Sequence, residues 1–448
     1  MQAAILAAGK SSRFRKTFGA NKLLQPLFGM PLLKRTLLTA RYAGINDFFI
    51  VVGYEKNKIK RLLGNGKELG VKIHYIENPD WEKENGISFF KLKGKIMTPF
   101  LLLMGDHVME PDMLKEFLKT RLYNGESALA VDYKLNKVFD LPEATKVLVD
   151  KKGRIRKIGK KIKKFNAVDT GVFLINDEAF EVAEKVISSG KEKLSEIMQA
   201  LTEKNYLKGV DIGPYRWVDV DTAADYRQAE KLIFKKIISG KPTDGWVSRN
   251  INRKVSTRIT KLLAYFGVNP NQITLASFLI ISFSALPFFL QRKEWFIPAA
   301  FLAQFGSIVD GCDGELARLQ MSMTSFGAWF DSVLDRIADT IFTAGVSYYV
   351  FITNPSPLTF LLGSFALAGS IMTSYSAKEY KLVFGKTFQF STRLFKFVAS
   401  SRDIRIFILF LGILLNKMLL AIGLVALLTN LSVLLRFLDK LPTRSYLK

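Results

Sequence analysis

The chain has 448 residues, 49% of them hydrophobic, and a formal net charge of +25 from 65 Lys and Arg against 40 Asp and Glu. That length exceeds one ordinary domain, and the basic excess suits a membrane surface or phosphorylated substrates. There is no zinc-finger spacing, no RRM signature and no interleaving of aromatic with basic residues, so nucleic acid is not expected as a partner.

The single cysteine, Cys312, excludes an intramolecular disulfide, and two histidines, His74 and His107, exclude a histidine-rich metal centre. Any metal would take oxygen ligands, as magnesium, manganese or calcium does. The N-terminal MQAAILAAGKSSR has too short an apolar stretch for a signal peptide, so the first domain is expected to stay on the side where it is made.

Residues 1–235 alternate short β-rich runs with helical patterns. Strands are expected at Ala3–Ala7, Phe48–Val52, Lys72–Ile76, Phe100–Met104, Ala128–Asp132 and Val172–Ile175. Helices are expected at Pro31–Tyr42, Pro111–Arg121, Glu178–Ser188 and Ala223–Lys236. This alternation predicts an α/β domain with a mostly parallel sheet.

The first strand runs through Leu6, Ala7, Ala8 and Gly9 into basic sequence that carries Arg13 and, further on, Asn21 and Lys22. Such a turn can cradle phosphates with backbone N–H groups, with Arg13 and Lys22 adding charge. Another strand ends at MGDH with Asp106, and Asp219 and Asp221 in WVDVDTAADY precede the last helix. Strand-end carboxylates in an open α/β sheet lie at the ligand crevice. Each Asp alone reads equally as a turn or N-cap residue.

Gly, Pro and Asp in residues 236–250 mark a boundary, and Trp246–Phe266 mixes apolar residues with Arg249, Arg253, Lys254, Arg258 and Lys261. Residues 236–267 are thus expected to form a linker and a basic amphipathic helix at the membrane surface. Six stretches approach the roughly 20 apolar residues of a spanning helix, at 272–291, 295–316, 326–353, 357–377, 404–420 and 418–437. Six spans put both termini on one side. Lys378, Lys381, Lys386, Arg393, Lys396, Arg402 and Arg405, with Lys440, Arg444 and Lys448 in the tail, make that side cytoplasmic by the positive-inside rule. The expectation is a multi-pass protein of the cell membrane, with the first domain and the C-terminus cytoplasmic.

Asp310 and Asp313, at i,i+3, end the second span, and Asp331 and Asp335, at i,i+4, begin the third. Each pair shares a helix face. A lipid-facing Asp at mid-bilayer costs roughly 2.5–3.5 kcal/mol, so these four with Asp339 would cost more than about 10 kcal/mol. They are expected to line a hydrated pocket, pair with Arg318 and Arg336, or bind cations, a salt-bridged helix end at the interface being the bland alternative. Gly311, Gly314 and Gly327 allow close approach of substrate. Hard oxygen ligands around two metals suit phosphoryl transfer.

At these residues the chain resembles the CDP-alcohol phosphotransferase family: Asp310, Asp313, Gly314, Ala317, Arg318, Gly327, Asp331 and Asp335 match D-x-x-D-G-x-x-A-R-(x8)-G-x-x-x-D-x-x-x-D at every defined position. The resemblance covers roughly residues 245–448 and implies a six-helix transmembrane domain (268–448) and a homodimer. It also implies a metal site from Asp310, Asp313 and Asp331, with Asp335 as the base on the acceptor hydroxyl or a further metal ligand. Gly314, Ala317 and Arg318 would hold the CDP moiety. Lys378, Arg402 and Arg405 look like the pocket for an anionic acceptor, and they read equally as positive-inside residues.

The first 235 residues resemble the sugar-phosphate nucleotidyltransferases. LAAGKSSR is similar to L-A-A-G-x-G/S-x-R, with Ser11 in place of a usual glycine, and Lys22 matches P-K-x-L, with Asn21 in place of the proline. That implies a Rossmann-like fold, CTP bound along Leu6–Gly9, Asn85 and Ser88, and magnesium (or manganese) at Asp106 and Asp221. Lys134, Lys146 and the Asp169–Gly171 turn would face the phosphate substrate.

The domain order resembles the bifunctional family that makes CDP-inositol from CTP and inositol 1-phosphate, then transfers phosphoinositol from it to a second inositol 1-phosphate, releasing CMP. The alternative is a phospholipid synthase with a lipid-linked donor or acceptor, against which the fused soluble transferase counts.

Overall fold

A computed structural model describes residues 1–123, 125–238, 247–388 and 401–439. Residues 239–246 of the expected linker, Arg393 and Lys396 of the basic loop, and Lys440, Arg444 and Lys448 of the tail lie outside the described residues. The chain divides into two compact units, Met1–Phe234 and Lys235–Lys448.

The first unit is a layered α/β structure around a nine-stranded sheet. The strands are β1 (Gln2–Ala7), a short pair β2 (Pro26–Leu27) and β3 (Met30–Pro31), β4 (Asp47–Val52), β5 (Lys72–Glu77), β6 (Phe100–Met104), β7 (His107–Met109), β8 (Ser127–Asp132), β9 (Lys146–Val149), β10 (Ile155–Gly159), β11 (Ala167–Ile175), β12 (Leu207–Asp211) and β13 (Trp217–Asp219). The central strands are continuous apolar runs. Ala3–Ile5, Ile50–Val52 and Phe100–Leu103 are wholly buried, as strands covered on both faces must be. The order is β10-β9-β11-β6-β1-β4-β5, with β8 between β11 and β12.

The sheet is mixed rather than mostly parallel. β6, β1, β4 and β5 run parallel, but β11 runs antiparallel to β6, β8 and β9. Parallel pairs need a long crossover, and antiparallel neighbours do not. β9 and β10 are joined by a short turn, with no helix between them. β11 also carries a register shift between Asp169 and Phe173. Gly171 lies in that shift at φ +73, and a Cβ there would stand 2.6 Å from His107 Nε2. Glycine is required there twice over, by conformation and by space.

The second unit is helical: α1 (Arg253–Tyr265), α2 (Pro270–Ser284, continued by Leu286–Phe289), α3 (Phe296–Leu319), α4 (Ser325–Thr353), α5 (Pro357–Phe384), α6 (Arg402–Leu414) and α7 (Met418–Leu438). Asn269 begins α2 with a capping box and Pro270 at the first helical position. Small residues let α2 and α3 meet closely: a Cβ on Gly306 would lie 2.5 Å from Ile281 Cγ1.

Among the described residues four stretches are long and apolar enough to cross a membrane: Pro270–Phe289, Lys293–Leu319, Pro357–Phe384 and Met418–Leu438. The other two expected spans fall short for different reasons. α4 is long but carries Asp331, Asp335, Arg336 and Asp339 in its first half, and the described α6 has 13 residues.

Candidate active sites

In the first unit the site forms where β1, β6 and the β7–β13 pair end. β13 pairs antiparallel with β7, setting Asp219 opposite His107, and Val220 N–H donates to Asp106 O at 3.2 Å. This pairing brings residues over a hundred positions apart to one place. Lys22, buried, stands between two carboxylates at 2.5 Å each, Asp106 Oδ2 and Asp221 Oδ1. Arg13 Nη2 lies 2.7 Å from Asp221 Oδ2, and Arg13 Nη1 3.7 Å from Glu143. His107 Nδ1 lies 2.9 Å from Asp106 Oδ1 and 3.9 Å from Asp219 Oδ1, and its ring stacks on Trp217.

The electrostatics follow from that arrangement. Burial would lower the Lys22 pKa, but Asp106, Asp219 and Asp221 hold it above the ordinary lysine range. Burial would raise Asp106, and Lys22 with His107 drives it below the carboxylate range instead. His107 loses to burial and gains more from Asp219 and Asp106, ending at about 9. Burial raises Asp219 to about 6 against the pull of His107, and burial raises Asp169 to about 6.

Asp106, His107 and Asp219 each offer an atom within 4.8 Å of the others. The carboxylate oxygens of Asp106 and Asp219, with Asp221 close by across Lys22, are hard donors of the kind that magnesium or manganese takes.

The second unit gathers its carboxylates on α3 and α4. One oxygen each of Asp310, Asp331 and Asp335 lies within 4.8 Å of the others. Arg402 of α6 spans them: Nη1 is 2.6 Å from Asp310 Oδ2 and 2.5 Å from Asp335 Oδ1, while Nε donates to Asp339 Oδ1 at 2.8 Å. Arg405 Nη2 donates to the other oxygen of Asp339 at 2.7 Å. Asp313 is turned toward α2 and accepts from Thr274 Oγ1 at 2.6 Å, and Ser277 Oγ donates to Asp310 Oδ1 at 3.3 Å. Three of these five aspartates, Asp310, Asp335 and Asp339, contact the two arginines, and the all-oxygen donor set fits hard divalent cations.

Two family models match the chain: a MobA-like NTP transferase domain over residues 3–201 and CDP-alcohol phosphatidyltransferase over residues 267–435. Proteins called bifunctional IPC transferase and DIPP synthase match nearly end to end. The one from Aquifex aeolicus is 36% identical over 97% of this chain and 96% of its own. The one from Archaeoglobus fulgidus is 36% identical over 93% of this chain and 79% of its own, and that from Thermococcus kodakarensis 34% over 97% and 95%. The chain belongs to the family of bifunctional IPC transferases and DIPP synthases. It is an enzyme with a nucleotidyltransferase unit and a CDP-alcohol phosphotransferase unit, and each of the two carboxylate sites of this IPC transferase and DIPP synthase family member falls in one of them.

The structure brings Arg13, Lys22, Asp106 and Asp221 together, and likewise Asp310, Asp331, Asp335 and Arg402. Leu6, Ala7 and Ala8 are buried at the end of β1, where Gly9 opens into free space. Gly314, Ala317 and Arg318 are half-buried and continue the face of Asp310 and Asp313 along α3. Gly314 N–H donates to Asp313 Oδ1.

Other expected contacts are engaged within the fold. Asn85 Oδ1 accepts from Leu194 N at 2.9 Å, and buried Ser88 Oγ accepts from Asn78 Nδ2 at 3.0 Å. Lys134 lies 2.8 Å from Asp132, and Lys146 donates to the Pro142 carbonyl at 2.8 Å. Lys378 Nζ donates to Ser332 Oγ at 2.5 Å, a hydroxyl that also accepts from Arg336 at 2.6 Å.

Sequence reading overlooked His107, Thr274 and Ser277 as site residues, set Asp219 behind Asp221, and counted Asp339 among the costly carboxylates of the spans without giving it a role of its own. The signal for His107 was its place beside Asp106, and for Asp339 its place one helical turn beyond Asp335.

Proposed function

We propose that the first unit joins CTP to inositol 1-phosphate, giving CDP-inositol and pyrophosphate. The second unit then transfers phosphoinositol from CDP-inositol to another inositol 1-phosphate, giving phosphorylated di-inositol phosphate and CMP. The observation that carries this reading is the near end-to-end match to IPC transferase and DIPP synthases, with a carboxylate site in each unit.

In the first reaction a phosphate oxygen of inositol 1-phosphate forms a bond to the α-phosphorus of CTP, and pyrophosphate leaves with the electron pair. The nucleophile is already anionic, so no general base is needed. Lys22 and Arg13 orient the triphosphate, and the backbone of Leu6–Gly9 with Asn85 and Ser88 lines the nucleotide's place. In the second reaction an acceptor hydroxyl bonds to the phosphorus that carries the inositol, and CMP leaves. Asp335 takes the hydroxyl proton, Gly314, Ala317 and Arg318 hold the CDP moiety, and Lys378, Arg402 and Arg405 face the acceptor's phosphate.

Magnesium or manganese, held by Asp106 with Asp221 and by Asp310, Asp331 and Asp335 with Asp313, supplies charge neutralisation of the phosphates when bound.

The second unit crosses the cell membrane six times as a homodimer, with both termini cytoplasmic. The 29-residue length of α4 supports its crossing, and the basic residues Lys378, Arg402 and Arg405 support the cytoplasmic side. A linker and interfacial helix at 236–267 separates it from the soluble domain.

The test is mass spectrometry of products after incubation with labelled CTP, magnesium and a panel of polyol phosphates. Water-soluble CDP-inositol followed by phosphorylated di-inositol phosphate is expected. Label in an organic-phase donor would assign the chain to lipid synthesis instead.

A further inference from the structure

α1 turns mainly hydroxyls toward the rest of its unit, with the small Ala264 beside them. Ser256, Thr257 and Thr260 are buried, while Leu262, Tyr265 and Phe266 are exposed. Two of those hydroxyls have one destination, Glu315 of α3, a carboxylate only 1% exposed. Ser256 Oγ donates to Oε1 at 2.8 Å, Thr260 Oγ1 to Oε2 at 2.7 Å, and Arg253 Nη1 lies 3.5 Å from Oε1. The seam continues toward the other end of α3: Gln304 Nε2 donates to Asn252 Oδ1 at 3.0 Å, and Asn252 Nδ2 to Ser307 Oγ at 3.4 Å.

A buried carboxylate is costly unless its partners match it closely, and apolar side chains would bind two helices together without that cost. Glu315 takes no part in either reaction described above. Its place on the helix is informative. At 3.6 residues per turn it lies about 160° around α3 from Asp313 and about 140° from Asp310. The seam therefore grips α3 from behind, while Asp310 and Asp313 meet Ser277 and Thr274 of α2, and Arg402 of α6, in front. A helix held on opposite faces has a fixed rotation about its axis.

We propose that Glu315 is a positioning residue for phosphoinositol transfer: by locking α1 behind α3 it sets the rotation at which Asp310 meets Asp331 and Asp335. This rests on the phosphotransferase reading of the second unit.

The experiment uses full-length protein with supplied CDP-inositol and inositol 1-phosphate over a range of magnesium concentrations. Glu315→Ala is expected to lower kcat about 10- to 100-fold, the usual cost of a small misplacement, and to raise the magnesium needed for half-maximal rate. Cytidylyl transfer from CTP should not change. Glu315→Gln keeps an acceptor oxygen and should restore most of the rate. The double variant Ser256→Ala, Thr260→Val leaves α3 native and should reproduce the alanine phenotype.

The proposal is overturned if both disruptive variants keep kcat and magnesium dependence unchanged, if the lost rate equals the lost fraction of folded protein, or if Glu315→Gln gives no rescue. Wild-type protein that leaves CDP-inositol unconsumed overturns the phosphotransferase reading itself, and this proposal with it.

Discussion

Both units solve the same electrostatic problem, and they solve it with different side chains. In the first unit Lys22 bridges Asp106 and Asp221; in the helical unit Arg402 bridges Asp310 and Asp335. A lysine is a compact charge on a flexible stem, and its position is set by what surrounds it. Here that surround is a second cation, His107, behind Asp106. The arginine is a planar fork, and its remaining face is pinned by Asp339, which Arg405 holds from the other side. The first site thus balances its carboxylates with three separate cations, Lys22, Arg13 and His107, the last of them titrating at about pH 9. The membrane site does so with permanent charges anchored on helices.

The largest expected effect breaks the comparison at the membrane end. Asp335→Asn removes the group assigned to the hydroxyl proton and one of Arg402's partners. Loss of about 10²- to 10⁴-fold in phosphoinositol transfer is expected, read as CMP release from supplied CDP-inositol. The soluble reaction should continue, so CTP with inositol 1-phosphate should accumulate CDP-inositol. Equal loss of both reactions would mean that the two sites are not separate.

The reciprocal change is Lys22→Met, which keeps length and removes charge. It leaves Asp106 and Asp221 without the cation between them, and about 10²- to 10³-fold loss of cytidylyl transfer is expected, the scale of losing one preorganised donor to developing charge. Supplied CDP-inositol should still be consumed at the wild-type rate. A Lys22→Met protein that makes CDP-inositol normally would remove Lys22 from the triphosphate site.

The two sites were not equally legible in the sequence. The membrane cluster was, because four carboxylates inside apolar helices have few explanations, and helical spacing alone assigns them to faces. The first site was half legible. Asp106 follows β6, which an apolar run announces, and Arg13 and Lys22 lie in the basic segment that follows the apolar run of β1. The β7–β13 pair does not announce itself: two three-residue strands are too short for periodicity, and nothing local to Trp217–Asp219 says that its partner is His107–Met109. The antiparallel strands β9 and β10 were missed for a related reason: they have four and five residues, and Lys146, Arg156 and Lys157 interrupt their apolar runs. α1 was read as amphipathic from its basic residues, but its buried face is polar, which a hydropathy pattern inverts.

The smallest expected effect concerns the titratable partner that distinguishes the soluble site. The folded pKa of His107, about 9, lies above its ordinary value near 6.5. The folded unit therefore binds this proton more tightly than the unfolded chain does. The stabilisation is complete below pH 6.5 and is lost as pH rises toward 9. Asp219, raised to about 6, also holds its proton more tightly in the fold, but its penalty has fully developed above pH 6 and adds no slope in this window. His107→Gln should thus cost about 1–3 kcal/mol near pH 6.5 and progressively less toward pH 9, read as the gap between wild-type and variant thermal midpoints for loss of cytidylyl transfer. A gap that stays constant with pH would show that His107 acts by packing against Gly171 and Trp217, not by charge. An arginine keeps its charge throughout this range, so loss of phosphoinositol transfer, measured on the same samples, should show no matching slope from Arg402.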